Sequence, residues 1–275
     1  MNYTLGIDIG GSTTKIVGFS DGKLIGTLKV KAADAATSAY GAFGKFLSIH
    51  SIAIDEVSSV FLTGVGASFI NDGFYNIKTS SVDEFRAIGI GGRYLSGKDH
   101  AVVVSMGTGT AFVRICGREV LHMGGSGVGG GTVFGLADKL IGARDFAHIV
   151  ELADKGQLNH VDLTIGDISH NNISNMTKDI TASNFGKLLD FATGEDLAAG
   201  ILNLVFQTVG MLAVFAAKGE NIHDIVLTGN LSIVPFSSKS FKMLEQIHGV
   251  NFLIPDNSEY ATAIGAALSN CNYFD

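Results

Sequence analysis

The chain has 275 residues, 46% of them hydrophobic, which is ample for a large buried core in one domain or two lobes and excludes a disordered polymer. The 26 acidic against 19 basic residues give a net charge of −7 with no basic run, so a nucleic-acid footprint is not expected. The two cysteines, Cys116 and Cys271, stand far apart without metal-ligand spacing, and no secretory signal pattern precedes the first strand; both features suit a cytoplasmic protein.

In chain order, alternating Leu5, Ile7 and Ile9 predict a strand over Tyr3–Ile9, and Gly10-Gly11 predict a tight turn into a second strand, Lys15–Phe19. A third strand over Lys23–Val30, a helix over Ser38–Ile49 and a strand over Val60–Leu62 follow. A further helix is predicted after Ser80-Ser81, with Ser81 as cap and Glu84 at its third position in a capping-box arrangement. After Gly97 the stretch AVVVSMGTGTAFVRICGREVLHM restarts the pattern of strand, glycine turn, strand, turn, strand. IDIGGSTTKIV and VSMGTGTAFV thus form a weak internal repeat, suggesting two related lobes that face a cleft. Helices are predicted over Gly130–Leu140, Phe146–Asp154, Asn184–Leu189 and Asp196–Lys218. Strand Ile225–Leu227, helix Phe236–Ile247, strand Val250–Ile254 and helix Ala261–Asn270 complete the chain.

The uncharged run Leu197–Ala217 is long enough to cross a bilayer. Asn203, Gln207 and Thr208 interrupt it, with Asn203 and Gln207 on one helical face, and neither an aromatic belt nor a basic flank frames it. A buried or subunit-interface helix is the reading these features favour, with no membrane partner.

The glycine turns carry the chemistry. Glycines let backbone N–H groups approach an anion, and Ser12, Thr13, Thr14, Thr108 and Thr110 can donate hydroxyl hydrogen bonds, so phosphate is the natural ligand. GGSGVGGGTVFGLADKL, from Gly124, runs into a helix start whose free amides and positive end would face the same ligand. Asp8, closing an apolar strand, suits a hydrated magnesium ion, the alternative being a turn-capping aspartate. Lys15 could reach a phosphate as a point charge or be a solvated strand lysine. Glu84 could take a proton from an attacking hydroxyl, with a helix cap as the plainer role and Asp83 as the competing carboxylate.

GIDIGGSTTKIV, VDEF, SMGTGT, GGSGVGGGT and DITASNFG, in this order, resemble the type II pantothenate kinases, members of the acetate and sugar kinase, heat-shock 70 and actin superfamily. The first motif is shared across that superfamily, whereas GxGxGGGT with DITASNFG (Asp179 to Gly186) is more discriminating. The resemblance spans nearly the whole chain. It implies an α/β, two-lobed actin-like (ribonuclease H-like) ATPase fold with an interlobe nucleotide cleft, divided here into residues 1–97 and 98–275. It implies a homodimer that uses ATP and Mg2+ to phosphorylate a small-molecule acceptor, pantothenate, to 4'-phosphopantothenate in the first step of coenzyme A synthesis. Carried over by position, Asp8, Ile9, Gly10, Gly11, Ser12, Thr13, Thr14 and Lys15 would form the first phosphate turn, and Thr108 and Gly109 the second. Gly130, Gly131, Thr132, Val133 and Phe134 would line the nucleotide beside Phe146, with Gly229 and Asn230 closing it, and Glu84 takes the place of the catalytic base.

Two positions depart from the family. His122 stands where the family has an arginine ahead of the third glycine stretch, with Arg114 and Arg118 nearby in sequence, and NFLIPDN offers Leu253 and Ile254 where relatives carry an aromatic residue. Both changes bear on the acceptor, so a related kinase with another acceptor is an alternative. An ATPase activator of a 2-hydroxyacyl-CoA dehydratase would share the first motif, but the isolated Cys116 and Cys271 lack the cysteine pattern of an iron–sulfur site. A sugar kinase of the repressor/kinase type is a further rival, whose zinc-binding cysteine cluster is also missing from the sequence.

Overall fold

A computed structural model of the chain describes residues 2–32, 34–70, 73–169 and 177–270; Cys271 lies outside them. The first half runs β1 (Tyr3–Ile9), β2 (Thr13–Ser20), β3 (Lys23–Lys31), α1 (Ala35–His50), β4 (Val57–Thr63), β5 (Thr79–Ser81) and α2 (Glu84–Ser96). The second runs β6 (His100–Met106), β7 (Thr110–Cys116), β8 (Glu119–Ser126), α3 (Gly130–Ile141), α4 (Phe146–Lys155), β9 (Leu163–Thr164), α5 (Ile165–Ile168), β10 (Thr181–Ser183), α6 (Gly194–Gly219), β11 (Asp224–Thr228), α7 (Pro235–His248), β12 (Asn251–Leu253) and α8 (Ala261–Leu268).

The internal repeat extends well beyond the two glycine turns. One sheet has the order β3-β2-β1-β4-β5 and the other, traversed the same way, β8-β7-β6-β11-β12. In each, an antiparallel three-strand meander is extended by two parallel strands. The correspondence reaches single residues. Asp8 of β1 lies opposite Lys15 and Thr63, and Ser105 of β6 lies opposite Ala111 and Thr228. Strand β4 ends Leu62-Thr63-Gly64 and β11 ends Leu227-Thr228-Gly229, the two glycines having φ of 86° and 87°. Only a residue without a Cβ adopts that backbone cheaply, and it turns both strands sharply at the cleft.

Helices α2 and α8 are the corresponding final elements, and they fill the space between the sheets. Ala263, Ile264, Ala267 and Leu268 of α8 pack with Val17 and Phe19 of the first sheet. Ile88 of α2 packs with Ala101, Val103, Val113, Ile115 and Val226 of the second. The two helices cross where a Cβ on Gly91 would meet the Ala261 carbonyl and one on Gly265 the Ala87 carbonyl, a reciprocal pair that sets an unusually short approach.

The second lobe is built around α6, capped by Thr193, whose side chain accepts from the Asp196 amide. Ile201, Leu202, Val205, Phe206 and Val209 are fully buried there, and two-thirds (67%) of its most apolar stretch lies inside the protein. The long apolar run is thus a core helix, as its interrupting polar residues suggest. Asn203 explains one of them: its Nδ2 donates to buried Asp162 at 2.7 Å.

Two local expectations need correction. Ser81 closes β5 rather than capping α2; the cap is Asp83, which accepts from the Arg86 amide at 2.8 Å, and Glu84 is the first helical residue. The helix expected over Asn184–Leu189 is an irregular turn, with Phe185 and Leu188 at φ of 57° and 27°. Asp162 competes successfully for this segment, taking the Phe185 amide at 2.8 Å and the Asn184 side chain at 3.2 Å.

Candidate active site

The paired strand ends β1–β2 and β6–β7 point their glycine turns into one cleft between the lobes. A cavity of about 790 Å3 opens there, lined by Ser12 and Thr13 from the first turn, Gly107 and Thr108 from the second, Gly130, Gly131 and Phe134 from α3, Phe146 from α4, and Asn230 after β11. Eight of the residues nominated from sequence therefore meet around one space. Asn230 also reaches across it, its Nδ2 donating to Thr13 Oγ1 at 3.3 Å, while its Oδ1 is buried without a partner. Phe134 and Phe146 have ring centroids 5.6 Å apart and form an apolar wall of the cavity.

The remaining nominated residues do not line this cavity. Ile9, Thr14 and Val133 are fully buried, so their side chains are framework. The Thr132 hydroxyl accepts from the Gly129 amide and donates to the Gly127 carbonyl, shaping its own loop. The α3 entry departs from expectation: the Gly130 amide donates to the Gly107 carbonyl at 2.9 Å and the Gly131 amide to the Thr108 carbonyl at 2.8 Å. These amides are not free to hold a ligand. The glycines are needed for docking instead, because a Cβ on Gly130 would lie 3.0 Å from the Gly107 carbonyl oxygen and one on Gly131 3.1 Å from that of Thr108.

The charged centre lies at the end of β1. Asp8 is 9% exposed and Lys15 5% exposed, cross-strand partners on the same side of the sheet. Burial raises the Asp8 carboxyl above the usual range, against the pull of Lys15, and burial lowers Lys15, against the pull of Asp8. Gly64 closes over the pair; a Cβ on it would lie 2.6 Å from Asp8 Oδ1. Thr63 Oγ1, from the residue opposite Asp8, is buried with no hydrogen-bond partner. Glu84, half-buried at the first turn of α2, is raised by burial first and then by the charges of Asp8 and Asp83. Glu84 therefore senses Asp8, whereas Asp83 is occupied as the helix cap.

Neighbouring positions clarify the departures seen in sequence. The His122 ring stacks on Phe85, the residue after Glu84, with centroids 3.6 Å apart and planes at 10°. Arg114 is no substitute for a missing arginine, since it pairs with Glu119 and Glu220, each at 2.8 Å. Sequence reasoning passed over other cavity residues: Lys29 and Lys31 on β3, Ala147, Val150 and Glu151 on α4, and Leu231 to Pro235 except Ser232. Two signals were available for them. Lys29 and Lys31 alternate along a strand, and Phe146, Ala147, Val150 and Glu151 share one helical stripe.

A family model described as Fumble matches residues 100–252. Among curated relatives, the type II pantothenate kinase of Bacillus cereus (strain G9842) is 29% identical over 248 residues, covering 84% of each chain. That of Oceanobacillus iheyensis is 27% identical over 278 residues, covering 97% of this chain and 99% of the relative. The fold resembles the activator of the 2-hydroxyisocaproyl-CoA dehydratase from Clostridium difficile with bound ADPNP, at TM-score 0.69 and 19% identity, covering 99% of this chain and 95% of that one. It also resembles a ROK family glucokinase from Streptomyces griseus in complex with glucose and AMPPNP, at TM-score 0.59 and 15% identity, covering 96% and 98%. With its two repeated sheets and interlobe cleft, the chain has the actin-like ATPase fold and belongs to the Fumble family, that of the type II pantothenate kinases.

Proposed function

We propose that this chain is a pantothenate kinase, transferring the γ-phosphoryl group of ATP to the primary hydroxyl of pantothenate in the first step of coenzyme A synthesis. The observation that carries the reading is the placement of Glu84: a desolvated carboxyl at the start of α2, electrostatically coupled to Asp8 beside the cleft. A hydroxyl becomes nucleophilic as its proton leaves, and a carboxyl whose affinity for protons is raised by burial accepts that proton more readily. Phosphoryl transfer otherwise asks for alignment and charge neutralisation. Ser12, Thr13 and Thr108 supply hydroxyls along the phosphate path, and Phe134 and Phe146 hold the base. Closure of the lobes about the cleft would exclude water and limit hydrolysis.

Magnesium fits this site on its chemistry. Asp8 is a nearly sealed carboxyl whose charge is felt by Glu84, and Asp8 would hold the cation there. A hard cation of this kind takes one carboxylate together with waters and phosphate oxygens. Bound there, magnesium would neutralise the charge developing on the transferred group.

The reading includes a cytoplasmic homodimer. Leu212 and Phe215 of α6 are 37% and 62% exposed, an apolar strip on the side of the helix away from the core that a second copy would cover. The stacked His122 favours one variant reading, a kinase of the same mechanism with a different acceptor, because a histidine is a weaker anion clamp than arginine. Incubation with ATP, magnesium and a panel of acceptors including pantothenate, with detection of the phosphorylated product, tests both. Turnover of pantothenate supports the first reading, turnover of another alcohol alone supports the second, and ATP hydrolysis indifferent to every acceptor defeats both.

A further inference from the structure

The cleft poses a charge problem that the glycine turns do not solve. Four of their amides already donate within the protein: Gly10 to the Thr13 carbonyl at 3.0 Å, Gly107 to the Gly109 carbonyl at 2.9 Å, Gly130 to Gly107 at 2.9 Å and Gly131 to Thr108 at 2.8 Å. Lys15, the lysine of the first motif, is 5% exposed, engaged with Asp8 and absent from the cavity wall. A nucleoside polyphosphate brings several negative charges into this space, and burying them unneutralised is costly.

The cations that line the cavity come from elsewhere. Lys29 and Lys31, alternate residues of β3 and so on one side of it, lie opposite Lys15 and Thr13 of β2. Lys29 Nζ sits 3.2 Å from Glu259 Oε2, with the two side chains 35% and 14% exposed, so it is tethered yet reachable. Lys31 has no carboxylate partner among the described residues and stands next to Ala32, another residue of the wall. An ammonium is a compact charge with three donors on a flexible stem, matched to phosphate oxygens that arrive with the ligand.

We infer that Lys29 and Lys31 form the cationic wall that holds the polyphosphate of a nucleoside triphosphate in this cleft, a role outside the glycine motifs. The inference rests on the nucleotide reading given above. Binding of ATP, AMP and adenosine to the wild type, to Lys29→Gln, to Lys31→Gln and to the double variant, by calorimetry at low and high salt, tests it. Each single change should weaken ATP binding about tenfold, the double change more, and adenosine binding should hardly move, since a charge-assisted contact is lost only where there is phosphate. The ATP affinity of the double variant should also depend less on salt than that of the wild type. Lys29→Arg with Lys31→Arg should restore most of the affinity. A double variant that binds ATP like the wild type, or that loses adenosine and ATP equally, overturns the assignment while leaving the nucleotide reading intact. A wild type that binds none of the three ligands overturns the nucleotide reading and this assignment with it.

Discussion

The two lobes present the same strand ends to the cleft with different chemistry. In the first sheet the row across the cleft end reads Lys15, Asp8, Thr63; in the second the corresponding row reads Ala111, Ser105, Thr228. The backbone is repeated down to the glycine after each threonine, yet one copy holds a buried carboxyl and a buried ammonium on facing positions and the other has no charge. The second turn is tied up internally, the Gly107 amide donating to the Gly109 carbonyl while the Gly107 and Thr108 carbonyls accept from α3, so that it works as a shaped surface. A scaffold built twice can thus divide labour, one turn holding reactive charge and its counterpart holding form.

Breaking that division should be most costly at the charged end. Glu84→Gln keeps size and removes basicity, so kcat should fall roughly 10²- to 10⁴-fold with nucleotide affinity retained, measured by product formation. Asp83→Asn should affect turnover less, because that side chain caps α2. Ser105→Ala, in the neutral copy, should leave kcat within about twofold, the scale of a substitution that touches no reacting group. A near-normal Glu84→Gln beside an inactive Asp83→Asn would show that the other carboxylate is the base.

Next comes the joint between the copies. Gly91→Val or Gly265→Val drives a side chain into the backbone of the opposing helix and should cost more than about 3 kcal/mol in denaturant unfolding, or prevent folding. Comparable stability would mean that the crossing is looser than described.

The glycine turns separate by a subtler pair of changes. A Cβ on Gly11 would meet nothing within 4 Å, whereas one on Gly130 approaches the Gly107 carbonyl at 3.0 Å. Gly11→Val should therefore preserve thermal stability, and weaken ATP binding if the first turn cradles phosphate; Gly130→Val should lower both, by about 1 to 3 kcal/mol in stability. Unchanged ATP affinity in folded Gly130→Val protein would remove the α3 entry from the nucleotide site.

The smallest contrast lies in the paired threonines. Thr228 Oγ1 donates to the Val104 carbonyl at 3.2 Å, while Thr63 Oγ1 is buried without a partner. Thr228→Val should cost about 1 kcal/mol, and Thr63→Val should be neutral or stabilising by a similar amount, both read from denaturation midpoints. Equal losses at both sites would argue that Thr63 has a hydrogen-bond partner after all.

Much of this architecture was legible in the sequence because it depends on short-range pattern. Alternating Leu5, Ile7 and Ile9, the two glycine turns and the polar breaks in the apolar run each report a local period. The matched LTG at 62–64 and 227–229 was equally visible, but three residues are too few to stand out without the sheets that align them. Other features depend on partners far along the chain. The turn at Phe185 is dictated by Asp162, and the fate of the Gly130 and Gly131 amides by carbonyls more than twenty residues away. Asp83 outcompeted Ser81 as a cap because β5 claims Ser81 for its pairing with Leu62, a pairing too short to be read from three residues.

The α8 cover on the first sheet has a consequence for how the molecule is made. Gly6, in the first strand, lies under Ala263 and Ala267, and a Cβ on it would meet the Ala263 carbonyl. During synthesis the first lobe therefore emerges with this face covered only in part, by Ile90 and Tyr94 of α2 against Val17 and Phe19, and the rest waits for α8 to leave the ribosome. Contacts of such sequence separation form late, and an apolar sheet left uncovered in the meantime is where aggregation starts. Truncation before Ala261 should thus damage the earliest-made lobe rather than the one nearest the cut.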